Sequence, residues 1–487
     1  MSKPKVLFLT CPERGQSNVH LSVLDWLVRE HKDEVELHLG SFESMRPLVK
    51  GDCTFHPITG KGLADYEKRS DSDEDSSHSM NLGMVSQPPG MIGCLRAFTA
   101  IFSVMHPESP QDYLDTARDI ERLLAELNPT LVAIDSLLDA AKDALIASKR
   151  PFVVLSPNTI REVGAAVQGL ATFKWAACGT GYTFPVAWYL YPINVFCTLF
   201  PLIWLTFFDR RSKALVKARN AAGYPGPLPM FIHPLEFDTC NKVLCMSTPE
   251  VEIPAVFPNS IACCGPILHD YKPFEQVDHK LRSTLLPAGA SENSVVFISL
   301  GSHFKATKRY AETMLAAIRV LLDKRKDVQV IWKLRKWGDY ELQGIEEVKD
   351  RLIIVDWVQM DQLSLLESGL IGCYVHHGGS NSYHEALAMG VPQIVMPAWL
   401  DCYDFANRAE HFGIGLWGNK RSAPGNSLPE FTEALLAVMG RQKDDSQAIR
   451  YRERAREISA IVTKDHQSSG GQVAAACIWD EMKAVLG

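Results

Sequence analysis

Apolar residues gather in short unbroken runs, separated by stretches in which they recur every three or four positions. The runs at 5–10, 35–39, 131–134 and 152–155 have the length of strands buried on both faces. Helical periodicity fills the gaps: Leu21, Leu24, Leu27 and Val28 predict a helix over 19–30, and similar spacing predicts helices over 113–127 and 136–148. The alternation restarts with runs at 295–300, 328–332, 352–355, 371–375 and 393–396. Strands that alternate with helices form parallel sheets covered on both faces, so the expected class is α/β, two Rossmann-like domains facing a cleft. The expected division is an N-terminal domain over 1–265 and a linker over 266–290. A C-terminal domain over 291–470 follows, then a helix over 471–487 able to cross back to the first domain.

The residues from 175 to 208 break this rhythm. They carry no charge and are long enough for a membrane-spanning helix of ~20 residues. Pro185, Pro192 and Pro201 interrupt them, which favours buried helices lining an apolar cleft over shallow membrane attachment or a span. The stretch 65–78 is the opposite case, almost without apolar residues, and reads as a solvated loop in which Asp73, Glu74 and Asp75 form no metal site.

Composition narrows the partners. Fifty basic and fifty-seven acidic side chains leave a net charge of −7, which argues against a general nucleic-acid binder. Twelve cysteines in 487 residues, none in a C-x-x-C pair, suit reduced thiols in a cytoplasmic protein. Six uncharged residues after Lys5 are too few for an export signal, and no apolar anchor is expected at 482–487.

The densest chemistry lies at 376–392, His-His-Gly-Gly-Ser-Asn-Ser-Tyr-His-Glu-Ala-Leu-Ala-Met-Gly-Val-Pro. A strand delivers it and it opens a helix. Gly378 and Gly379 permit close backbone approach. Ser380, Asn381 and Ser382 sit where free amides and the helix dipole favour an anion such as a diphosphate. His377 can donate to the same oxygens, and Glu385, one turn on, can accept from vicinal hydroxyls. A literal G-x-G-x-x-G at 413–418 follows a helix instead of a strand and is discounted.

With Asp356 to Asp361 upstream and Pro397 to Asp401 downstream, this segment resembles the signature box of UDP-sugar-dependent glycosyltransferases, fungal members most of all. These are inverting, metal-independent enzymes of GT-B architecture. The resemblance implies that Trp357 stacks on uracil and that Val358 and Gln359 meet its edge. Gly301 and Ser302 would join His377, Gly379, Ser380, Asn381 and Ser382 at the phosphates. Glu385 would hold the ribose and Asp401 the sugar hydroxyls, with Asp404 a competitor for that role. Cys402 stands where plant members carry Gln or His. The family's catalytic histidine position falls on Gln16, which has no titratable group. The candidate base is therefore His20, one helical turn on, paired with Asp135. The function implied is transfer of a sugar, glucose from UDP-glucose, to a hydroxyl of a hydrophobic phenolic or polyketide. No cofactor is expected beyond the donor, and peripheral membrane contact through 175–208 is open. The alternatives are another donor, such as UDP-N-acetylglucosamine, or a silent UDP-sugar-binding protein.

Overall fold

A computed structural model describes residues 3–63, 65–66, 82–230, 239–286, 289–464 and 469–487; the acidic triplet 73–75 lies outside them. Two sheets organise the chain, and every paired strand within each is parallel. The first takes the order β3-β2-β1-β4-β5-β6-β7, from β1 (Lys5–Leu9), β2 (Glu36–Ser41), β3 (Thr54–Pro57), β4 (Leu131–Asp135), β5 (Phe152–Leu155), β6 (Cys240–Cys245) and β7 (Ile261–Cys263). The second takes the order β10-β9-β8-β11-β12-β13, from β8 (Val295–Ser299), β9 (Gln329–Lys333), β10 (Leu352–Val355), β11 (Ile371–His376), β12 (Gln393–Val395) and β13 (Gly415–Trp417). The order reverses beside β1 in one sheet and beside β8 in the other. Each reversal opens a crevice at the carboxyl ends of its strands.

Helix α1 (Arg14–His31) covers one face of the first sheet through Val19, Val23, Leu24 and Leu27. Next in chain order come α2 (Met91–Met105), α3 (Pro110–Leu127) and α4 (Asp139–Ser148); α3 and α4 cover the other face through Ile120, Leu124, Ala141 and Leu145, and α3 begins with a capping box formed by Ser109 and Asp112. The segment read as buried, 175–208, is so only in its first part, at Trp175, Ala177, Thr180 and Val186; its second part is largely bare, where α5 (Tyr191–Ile203) buries only Asn194 and Cys197, and α6 (Arg210–Ala222) follows it. Its side chains outnumber what α2 can cover, because one helix offers its neighbour a single stripe.

Two helices of the second sheet matter for the cleft, α7 (Ser380–Ala388) and α8 (Cys402–His411). Helix α9 (Gly470–Leu486) crosses back to the first domain and packs Ala474, Ala475, Ile478 and Met482 into the core beneath α1. Gly471 has no space for a side chain, since a Cβ there would lie 2.5 Å from Ser22 Oγ. The domains are locked together by buried ions: Arg408 pairs with Glu252 and with Asp404 (2.7 Å), and Arg161 reaches Asp404 at 3.5 Å.

Candidate active site

The register β8·β11 aligns Ser299 with His376 and so brings the turns after the two strands side by side. Gly301 (φ 89°) lies against the His377 ring, where a Cβ would come within 2.6 Å; at Gly379 a Cβ would meet His377 Nε2 at 2.5 Å. The glycines therefore make room for a half-buried imidazole whose Nδ1 is shut off from solvent. Burial, with help from His376, His303 and Lys333, pushes its pKa down to about 3, so His377 is neutral and able to donate one N–H.

Helix α7 starts at this turn with no side chain capping its first amides. Its three polar residues are held differently. Ser380 donates its hydroxyl to Pro157 O (2.5 Å) across the domain interface, so only its amide faces the crevice chemistry foreseen for it. Asn381 donates to Gly15 O at 3.3 Å and keeps a buried Oδ1 without a partner. Ser382 accepts from the Tyr374 hydroxyl at 3.2 Å. Glu385 is buried, accepts from Gln362 Nε2 at 2.5 Å, and has its pKa raised by desolvation.

Beyond the strand ends, Trp357 and Gln359 are exposed and Val358 is half-buried; Ser302 follows Gly301 at the cleft. Lys333 ends β9 with its Nζ 4.1 Å from the centre of the Trp357 ring, and burial and Arg335 lower its pKa to about 8. Sequence reading passed over Lys333, because a charged residue at a strand end looks like an ordinary solvated terminus. Asp404 is committed to Arg161 and Arg408, which leaves the carboxyl of Asp401 as the one available to a ligand. Burial, with Glu162 and Asp404 nearby, raises Asp401 to about 7. Cys402 is fully buried.

Across the cleft, the ends of β1 and β4 open on a cavity of about 110 Å³ lined by Glu13, Gln16, Met105, His106, Tyr113 and Leu138, among others. His20 and Asp135 share no hydrogen bond, although the Asp135 charge acts on the ring and opposes the fall of its pKa. Asp135 accepts from Thr10 Oγ1 (3.0 Å), Cys11 N (3.2 Å), Cys11 Sγ (3.1 Å) and Leu137 N (2.8 Å), so it clamps the turn after β1. His20 is fully buried, lies outside the cavity lining, and is driven to a pKa of about 4 by desolvation. Gln16 lines the cavity, and His20, one helical turn on, packs against Phe8 of β1. The cavity's own histidine, His106, lies between Glu108 (2.8 Å) and Asp139 (3.2 Å), which hold it protonated with a pKa raised to about 9. Glu13 lines the same cavity and accepts from Leu63 N at 2.6 Å. Among the described residues, no group of three or more His, Cys, Asp or Glu is arranged to hold a metal.

Known proteins resemble the chain in sequence and in fold. Residues 323–460 match the family model of the erythromycin biosynthesis protein CIII-like C-terminal domain. The chain is 32% identical over 522 aligned positions to the glycosyltransferase sdnJ of Sordaria araneosa, covering 97% of each. It is 34% identical over 113 residues, 23% of each chain, to a flavonol 7-O-beta-glucosyltransferase of Arabidopsis thaliana. Among solved structures, the kitacinnamycin glycotransferase superposes with a TM-score of 0.66 at 17% identity, covering 99% of this chain and all of that one. Phytolacca americana UGT2, complexed with UDP-2fluoro-glucose and pterostilbene, gives 0.64 at 14% over the same shares.

Proposed function

The chain belongs to the UDP-glycosyltransferase family and has its GT-B fold, and from that membership we propose that it transfers glucose from UDP-glucose to a hydroxyl of a hydrophobic small molecule, inverting the anomeric carbon. The observation that carries this reading is the joining of two half-sites. Asn381, at the start of α7, bonds the backbone of the α1 turn, and that turn's Glu13 and Gln16 line the apolar cavity opposite.

In this reading Trp357 stacks on uracil, with Val358 and Gln359 at its edge, and Glu385 holds the ribose. The diphosphate meets the first amides of α7, the turn at Gly301 and Ser302, the N–H of His377, and the ammonium of Lys333. The negative charge that grows on departing UDP is met there by fixed donors without a metal ion. Asp401 binds the sugar hydroxyls. Glu13 takes the acceptor proton as the acceptor oxygen attacks the anomeric carbon and the bond to the diphosphate oxygen breaks. Glu13, Glu108, Asp112 and Asp139 outnumber Lys61 and His106 around the cavity, which supports a neutral phenolic or polyketide acceptor over an anionic one.

The purified chain, given UDP-glucose and a panel of phenols, is expected to release UDP only with an acceptor and to yield products heavier by one hexose. Glu13→Gln keeps a group able to accept from Leu63 N, and should cut turnover by ~10²–10⁴-fold with UDP affinity unchanged. An unaltered rate would place the base elsewhere. A second reading, a silent UDP-sugar binder, is favoured by Gln16 at the family's base position; UDP binding with no turnover on any acceptor would support it instead.

A further inference from the structure

The segment Trp188 to Phe208 folds as one helical rod: a 3-10 turn at Trp188–Leu190, then α5, then a π turn at Trp204–Phe208. Its 21 residues give it a length of about 30 Å. Only 17% of its most apolar 18-residue window is buried. Trp188 (81% exposed), Phe196, Leu199, Leu202 and Phe207 (64% exposed) follow one another at intervals of eight, three, three and five residues, which at about 100° per residue keeps them on one side of the rod. They form a single outward stripe running the length of the rod.

The inward side fastens the rod to its domain. Asn194 Oδ1 accepts from Ala177 N (2.7 Å), and its Nδ2 donates to Phe173 O (2.9 Å) and Trp175 O (2.7 Å). Cys197 packs in the cluster that α2 shares with Ala177 and Leu400. A rod held along its length cannot turn to cross a bilayer, but it can lie flat on one.

Charge identifies the surface it suits. No charged residue falls between 175 and 208. Lys174 is exposed just before the stretch; Arg210, Lys213 and Lys217 are exposed just after it. The one intervening acid, Asp209, is used as a helix cap, accepting from Ser212 N at 2.7 Å. A locally basic rim on a chain of net charge −7 runs against the global sign. The exposed cations Arg210, Lys213 and Lys217 gather past the C-terminal end of the rod, and Lys174 sits alongside it, where Asn194 bonds the carbonyls of Phe173 and Trp175.

We propose that the 188–208 rod docks this protein flat on an anionic phospholipid bilayer, its apolar stripe below the headgroups and its basic rim among them. The rod packs on α2, whose last residue, Met105, lines the acceptor cavity, so docking sets that cavity beside the lipid phase. The surface exists whichever donor or acceptor the cleft takes.

Flotation of the full chain with vesicles tests this. Co-flotation is expected with phosphatidylcholine mixed with phosphatidylserine, and much less with phosphatidylcholine alone or at high salt. Arg210→Gln/Lys213→Gln/Lys217→Gln should weaken partitioning on the order of a hundredfold, at ~1 kcal/mol per cation. Leu202→Glu/Phe207→Glu, on the exposed stripe, should abolish it while leaving UDP affinity unchanged, which separates this outcome from any failure of the donor reading. Three results overturn the proposal: equal flotation of the Leu202→Glu/Phe207→Glu variant, self-association through the stripe without vesicle binding, or attachment that survives alkaline washing, as a spanning helix would.

Discussion

The His20 imidazole stands edge-on to Phe8, ring centres 6.1 Å apart, with no surface exposed to solvent. No side chain offers either ring nitrogen a bond among the described residues, so the ring contributes volume more than polarity. Leucine has a similar volume and brings no polar atom that burial would leave unpaired. His20→Leu should therefore keep turnover and hold or raise the urea midpoint, within about 1 kcal/mol of the parent. A collapse in rate with the fold intact would return His20 to the chemistry. The contrast with the 376–392 segment explains what could be read from sequence. Glycines that admit His377, and Asn381 and Glu385 at fixed offsets along one turn and helix, form a local pattern. Glu13 and Lys333 matter through neighbours far along the chain, Leu63 in one case and Trp357 in the other.

Helix periodicity was enough to find α9, since its apolar positions repeat within the segment itself. Its seat under α1 required knowing which distant face lacked a cover. The same gap explains the 175–208 stretch: apolar content says that water is unwelcome, and it is silent on whether protein or lipid replaces it. Ile478 is fully buried among Val6, Phe8, Val23 and Leu27. Ile478→Ala should cost about 2–5 kcal/mol in urea denaturation, by lost transfer energy and the cavity left behind. Because α1 begins at the turn that Asn381 bonds, acceptor KM should rise in the same variant. A stability loss below about 1 kcal/mol would mean that α9 is only loosely seated.

Across the whole molecule the buried histidines set the pH range. His20, His376 and His384 are each held near 4, mainly by desolvation, and so are neutral in the fold. Their stabilising effect is complete above the unfolded pKa of ~6.5 and is lost as pH falls through about 4. For each ring, protonation of the unfolded chain alone costs the fold up to about 3 kcal/mol between those limits, a penalty that appears only on the acid side and is absent at neutral pH. His106 acts in the other direction: raised to about 9, it stabilises fully below ~6.5 and loses that effect as pH climbs through 9. Urea midpoints should therefore drop steeply between pH 6.5 and 4 and drift down more gently from 6.5 to 9. His106→Gln should flatten the alkaline drift alone. An acid limb as shallow as the alkaline one would mean that the buried rings take up protons without unfolding.

The seat of α9 also imposes an order on synthesis. Strand β7 ends at Cys263, yet the helix that completes the first core begins at Gly470. At roughly 5–20 residues per second, the ribosome needs about ten to forty seconds to make the intervening chain. Throughout that interval Val19, Val23, Leu24 and Leu27 lack part of their cover, and the nascent first domain offers chaperones or its neighbours a sticky face. Slow codons anywhere between the two would prolong that risk in direct proportion while leaving the finished protein unchanged.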